Sequence, residues 1–182
     1  MNHPHTLVVL VEDHPGVLNR VVSLLRRRSF NIDSISVGHS EQAGISRMTL
    51  VVSGEDDEIE QAGKQLYKLM EVLKVTDLTD QESIGREMAL IKVAAKPRDR
   101  GEILQIASIF QARVLDASPS TLLLEATGPE DKIESLLAML RGYGIRELVR
   151  TGKVAMARGG SSGGKTPGRV ERIADGTLAV AG

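Results

Sequence analysis

The chain has 182 residues, 41% hydrophobic and 26% charged, with a formal net charge of −1; this is a globular composition for one or two domains, without a global field to attract nucleic acid or an anionic membrane. Cysteine is absent, which excludes disulfides, thiolate metal sites, iron–sulfur clusters and cysteine nucleophiles together and fits a reducing, cytoplasmic setting. No apolar run is long enough to span a bilayer, and the opening MNHPHT lacks the basic and apolar regions of a secretory signal.

The elements follow from periodicity. Thr6–Val11 is an apolar run that predicts a buried strand. It stops at Glu12-Asp13-His14, and Pro15-Gly16 then opens a helical pattern carried by Val17, Leu18, Val21, Leu24 and Leu25. Proline suits a first helical turn, and Gly16 leaves the neighbouring N–H groups uncovered. A helix start with bare donors and a positive dipole end suits a carboxylate or phosphate, although an ordinary strand-to-helix turn reads the same way. FNIDSISV (30–37) alternates with one phase slip at Asp33-Ser34, predicting a strand with a bulge, and RMTLVV (47–52) completes a hairpin. Ser53-Gly54-Glu55-Asp56 is capping chemistry for a helix marked by Ile59, Ala62, Leu66, Leu69, Met70 and Leu73, and 72–78 closes as a strand.

The polar stretch 79–85 reads as a linker, after which the order recurs. Strands are expected at 87–94, 113–116, 121–126, 145–149 and 154–156, with helices marked by Ile103 to Phe110 and by Ile133 to Leu140. Each half is a split β-α-β unit, the ferredoxin-like arrangement, so the fold class is α+β: two βαββαβ domains, each an antiparallel sheet with its helices on one face. The other face must be solvated or covered by a partner. Residues 1–78 and 86–158 are the two domains. From Gly159 the composition turns to GGSSGGKTPG, so 159–182 reads as a flexible tail.

Few side chains suggest chemistry. Electron transfer would need clustered cysteines, and base stacking would need aromatics on the central strands Thr6–Val11 and Arg47–Val52, which carry none. His3 and His5 lie near a terminus expected to fray, where a chance pair explains them better than a metal site. His14 sits in the opening turn and His39 at a hairpin tip with no evident partner. Arg26-Arg27-Arg28 suits the negative end of a helix. Dinucleotide, P-loop and nucleophile-elbow motifs are all missing, and the chain reads as non-catalytic, with neither catalytic nor metal residues.

VEDHPGVLNRVVSLLRRRSFNIDSISVG at 11–38 resembles the first half of an ACT domain, and most resembles the small regulatory subunits of acetohydroxyacid synthase, also called acetolactate synthase. SRMTLVVSG at 46–54, KQLYKLMEVLKVTDL at 64–78, REMALIKV at 86–93 and VLDASPSTLLLEATG at 114–128 extend the likeness, which ends near Arg158. The resemblance implies a regulatory subunit in branched-chain amino-acid biosynthesis (valine, isoleucine) that activates a catalytic large subunit and confers feedback inhibition by valine. It implies a homodimer paired through its ACT domains, with valine at the interface. Thiamine diphosphate, magnesium and FAD belong on this reading to the partner, with no cofactor in this chain. Asp13, Gly16, Asn31 and Ile32 are the positions that match the family's effector site; Pro15 and Val17 complete the donor-bearing turn. Relatives carry Gly before the aromatic-Asn-Ile, where Ser29 stands here. A free-standing ACT-type amino-acid sensor without a catalytic partner is the alternative.

Overall fold

The computed structural model describes residues 3–159, 170–172 and 178–180. Their elements run β-α-β-β-α-β twice, as the periodicity predicts. The chain divides into two compact units, one reaching Ile84 and resuming at Ala155, the other Gly85–Val154.

The first unit contains β1 (His3–Glu12), α1 (Val17–Arg27), β2 (Asn31–His39), β3 (Ile45–Gly54), α2 (Asp56–Leu66) and β4 (Val72–Asp77). Its sheet is antiparallel in the order β2-β3-β1-β4. Strand alternation sends Leu7, Val9 and Val11 toward the helices, in one core with Met48, Leu50, Val52 and Val75. Val21 and Leu25 of α1 and Ile59 and Leu66 of α2 close that core. The register of β2 shifts between Ile32 and Ser34, so the phase slip in the sequence is a bulge at Asp33. His3 and His5, expected in a frayed terminus, are instead rungs of β1, opposite Gly54 and Val52.

The helical stripe predicted as far as Leu73 is cut short, because α2 ends at Leu66 and Met70 is 74% exposed. Tyr67 captures the chain there. Its hydroxyl accepts from the Val75 N–H (3.0 Å) and donates to the Val75 carbonyl (3.1 Å). Burial pushes its pKa up, with the backbone bond pulling the other way. Both backbone groups of Val75 on the outer edge of β4 are thereby occupied.

The face of the sheet away from the helices is covered by the chain itself. Val8 packs with Leu78 and Ala155, with Ala157 alongside, and Arg47 Nη2 donates to the Ala155 carbonyl at 2.9 Å. The segment from Ala155 thus belongs with the first unit, whereas the sequence pattern assigns it to the second.

In the second unit, β5 (Ser83–Ala94) begins inside the stretch read as linker. It is followed by α3 (Arg100–Ile109), β6 (Arg113–Ala117), β7 (Thr121–Gly128), α4 (Glu130–Leu140) and β8 (Ile145–Arg150). The sheet order is β6-β7-β5-β8, and β9 (Val154–Ala157) begins at the last residue of this unit. Ala89, Ile91 and Val93 pack with Leu124, Ile103, Ile133, Leu136 and Leu140 in a second aliphatic core. Arg150 donates to Glu87 (2.6 Å) and to Glu134 of α4, tying that helix to the sheet. Beyond Gly159, β10 (Val170–Arg172) and β11 (Leu178–Val180) pair antiparallel; the remainder of the expected tail lies outside the described residues.

The first helix of each half ends in the same way. Ser29 N–H donates to the Arg26 carbonyl (2.9 Å) and Phe30 N–H to that of Leu25 (3.2 Å); Gln111 and Ala112 donate equivalently to Ser108 (3.0 Å) and Ala107 (2.8 Å). This is the Schellman motif, which needs a left-handed residue after the cap. Ser29 (φ 62°) and Gln111 (φ 53°) occupy those positions at a steric cost that glycine does not bear. Ser29→Gly and Gln111→Gly are each expected to raise stability by about 0.5–1 kcal/mol, the relief offset in part by glycine's greater unfolded-state entropy. A higher urea midpoint at unchanged slope is the readout; an unchanged or lower midpoint would contradict it.

Candidate functional site

The β1–α1 turn is pinned from both sides. Glu12 N–H donates to the Glu71 carbonyl (2.9 Å), and Asp13 N–H to the carbonyl of Gly44 (2.8 Å) in the β2–β3 loop. Glu71 is buried, and its carboxylate accepts from Arg20, one turn into α1. A buried carboxylate needs such a partner, so the pair fixes the start of the helix against the end of the sheet.

Gly16 is the N-cap residue, with φ 92° and ψ −13°. A left-handed residue cannot continue a right-handed helix, so α1 begins at Val17, and Pro15 stands outside the first turn where the sequence placed it. A Cβ added at Gly16 would meet nothing within 4 Å. The glycine is therefore demanded by its backbone angles and not by crowding. The first helical bond is from Arg20 N–H to the Gly16 carbonyl (3.1 Å). The N–H groups of Val17, Leu18 and Asn19 lie ahead of it without an intrahelical acceptor. Gly16 offers no side-chain cap and the first turn holds no acidic residue, so among the described residues these donors and the positive dipole end face outward.

Acceptors border the donors. Asp13 Oδ2 lies 3.0 Å from His39 Nδ1, and Glu12 Oε2 lies 3.3 Å from His14 Nε2. The partner of His39, invisible in the sequence, appears because β2 runs back alongside β3, whose Ile45 pairs with Glu12. Glu71 and Arg20 also escaped the sequence reading, since their pairing joins positions 51 residues apart.

Asp13, Pro15, Gly16 and Val17 thus share one turn, but Asn31 and Ile32 do not join them. Asn31 pairs with Ser53, which pairs with Pro4. Glu12 is eight residues farther along β1, roughly 27 Å at the strand rise. Asn31 is exposed, and its side-chain amide donates to Asp33. Both residues lie on β2, an outer strand of the sheet.

Two split β-α-β units, the first with a glycine-opened helix start, define a pair of ferredoxin-like domains of the ACT type. Residues 7–74 match the family described as the AHAS small subunit-like ACT domain, and residues 86–159 that described as the small subunit of acetolactate synthase. The chain is 52% identical over 155 residues to the probable acetolactate synthase small subunit of Archaeoglobus fulgidus, covering 85% of this chain and 97% of that one. It is likewise 52% identical over 155 residues to the acetolactate synthase small subunit of Mycolicibacterium smegmatis, covering 85% and 91%. The crystal structure of the acetolactate synthase small subunit from Thermotoga maritima matches with a TM-score of 0.81 and 43% identity, over 86% of this chain and 98% of that one. The chain belongs to the acetolactate synthase small-subunit family.

The open space around Gly16 separates backbone strain from crowding. Gly16→Ala is expected to destabilise by about 1–2 kcal/mol, the cost of a left-handed alanine. Gly16→Asn should cost less, because asparagine tolerates this conformation. Equal losses for the two in urea denaturation would mean that the backbone angle is not what the glycine serves.

Proposed function

We propose that this chain is the non-catalytic regulatory subunit of an acetolactate synthase, activating the catalytic large subunit and conferring feedback inhibition by valine. Family membership supports the first part. The observation that carries the second is the left-handed N-cap at Gly16, which presents backbone donors beside the Asp13 carboxylate. A valine carboxylate takes those N–H groups, and the ammonium takes Asp13. Thiamine diphosphate, magnesium and FAD belong to the catalytic subunit on this reading, and the reaction is performed there, in the cytoplasm.

Two copies complete the site. Of the outer strands, β4 has both Val75 backbone groups taken by Tyr67, whereas among the described residues no strand pairs the outer edge of β2. Antiparallel pairing of β2 with its copy, centred on Ile35, sets the second copy's Asn31 opposite His39 and so beside Asp13. The roughly 27 Å separation within one chain thereby becomes adjacency between two. Asn31 adds a polar contact to the effector, and Ile32 bounds its isopropyl group. An effector shared by two chains shifts the equilibrium toward whichever pairing it binds better, and this differential affinity is what reaches the catalytic subunit.

Gly16→Asp puts a carboxylate where that of valine binds. Loss of one charge-assisted hydrogen bond costs about 1.5–3 kcal/mol, which weakens binding roughly 10- to 150-fold, and repulsion adds to this. Acetolactate formation by the catalytic subunit with this variant should remain stimulated while valine inhibition disappears; inhibition at the wild-type valine concentration would remove the effector from this turn. Sharing between chains has its own signature. Gly16→Asp and Asn31→Ala homodimers should both lose valine binding by titration calorimetry. Co-refolding the two variants should restore one intact site in each mixed dimer. If mixing restores no binding, the site is not shared.

A further inference from the structure

At the other end of β1, far from Gly16, three potential ligands converge. His3 and His5 are two residues apart on one strand and so project from the same face, with ring centroids 4.1 Å apart. Asp56, the first residue of α2, sits over them: its Oδ1 is 3.5 Å from His3 Nε2 and 3.6 Å from His5 Nε2. The three ligand atoms all lie within 4.8 Å of one another.

His5 is 3% exposed, and its Nε2 is a buried atom without a hydrogen-bond partner. Its other nitrogen shows which tautomer is present. Thr79 gives its hydroxyl hydrogen to Asp77 and accepts from the Thr6 N–H (3.1 Å), so at 3.3 Å from His5 Nδ1 the Thr79 oxygen can only accept. Nδ1 therefore carries the proton, with Asp77 Oδ2 3.9 Å beyond it. In the neutral ring Nε2 then carries a lone pair, 3.6 Å from the Asp56 carboxylate oxygen. Two acceptors at this distance suit a cation between them. The Thr79 bond is the kind of outer contact that orients metal-binding imidazoles.

We propose that His3 Nε2, His5 Nε2 and Asp56 Oδ1 form a binding site for a divalent transition metal of the zinc class. Two imidazoles and a carboxylate suit zinc, cobalt, nickel or copper rather than magnesium or calcium. Tetrahedral zinc, with bonds of about 2.0–2.1 Å, needs ligand atoms roughly 3.3 Å apart. The carboxylate-to-nitrogen distances are a few tenths of an ångström longer. The His3 and Asp56 side chains are 42% and 82% exposed and have room to close, and a fourth position remains for water. The positive end of α2 opposes a cation, but the acidic first turn Asp56-Asp57-Glu58 outweighs it. The ion fastens the first rungs of β1 to the start of α2, a structural role separate from the effector turn.

The test uses the full-length, tag-free chain, titrated with zinc by calorimetry and with cobalt by visible absorption. One saturable equivalent per chain is expected, with tetrahedral-type cobalt bands and a melting temperature that rises with zinc concentration. His3→Ala and Asp56→Asn alter exposed groups and should keep the wild-type circular dichroism. Each should weaken zinc binding by at least the roughly 10- to 100-fold that loss of an outer contact costs. Absence of saturable binding overturns the proposal. So does binding that both variants retain unchanged, which places the ion elsewhere, for example at His14–Glu12 or His39–Asp13.

Discussion

Strand β1 is apolar on both faces, and a strand of that kind has to be covered twice. Leu7, Val9 and Val11 point to the helices, while Val8 points the other way and is 4% exposed. Fully burying a side chain of this kind is worth about 1.5–3 kcal/mol, so a single-sided sheet would forfeit part of the stability that the sequence provides. The chain responds by bringing Ala155 and Ala157 back across the open face. The helix side and the centre of the far side are both occupied, and Tyr67 takes the outer edge of β4. Among the described residues, the outer edge of β2 and the two ends of β1 are left open, and these are the places where the functional proposals fall.

The two ends of β1 differ in charge chemistry. At Glu12 the strand runs into a left-handed glycine and an uncapped helix, so backbone donors face outward. At His3 and His5 it meets the start of α2, where acidic side chains already take two of the backbone donors. Glu55 and Glu58 form a reciprocal capping box there, and a further carboxylate, Asp56, hangs over the imidazoles. One helix start therefore suits an anion, while the other has gathered enough acidic groups to suit a cation.

The halves repeat the topology and the helix-ending device but not the helix opening. In the second unit α3 starts from Asp99 with φ −94° and ψ −14°, a right-handed conformation. The equivalent stretch, Lys96-Pro97-Arg98-Asp99, brings cations in place of a glycine-opened turn. The same βαββαβ frame is thus built on one helix start with exposed donors and one without the reversal at the cap.

Much was written locally. Apolar spacing located the strands and helices of both halves, though not the end of α2 or the start of β5, because side-chain alternation and the 3.6-residue period are properties of neighbouring residues. The bulge at Asp33-Ser34 showed as a phase slip, and the Asp13–Val17 turn showed through its Pro-Gly signal. Ser29 stands where relatives carry glycine, and its φ is positive. The structure decided whatever depends on residues distant in sequence. It paired His39 with Asp13 and Arg20 with Glu71, ended α2 through Tyr67, and returned Ala155 to cover Val8. It also separated Asn31 from Gly16 within one chain and gave His5, an unremarkable residue near a terminus, a buried and directed lone pair. Strand register and chain return set such encounters, and no local pattern encodes them, since each depends on which face of which strand a residue tens of positions away comes to occupy.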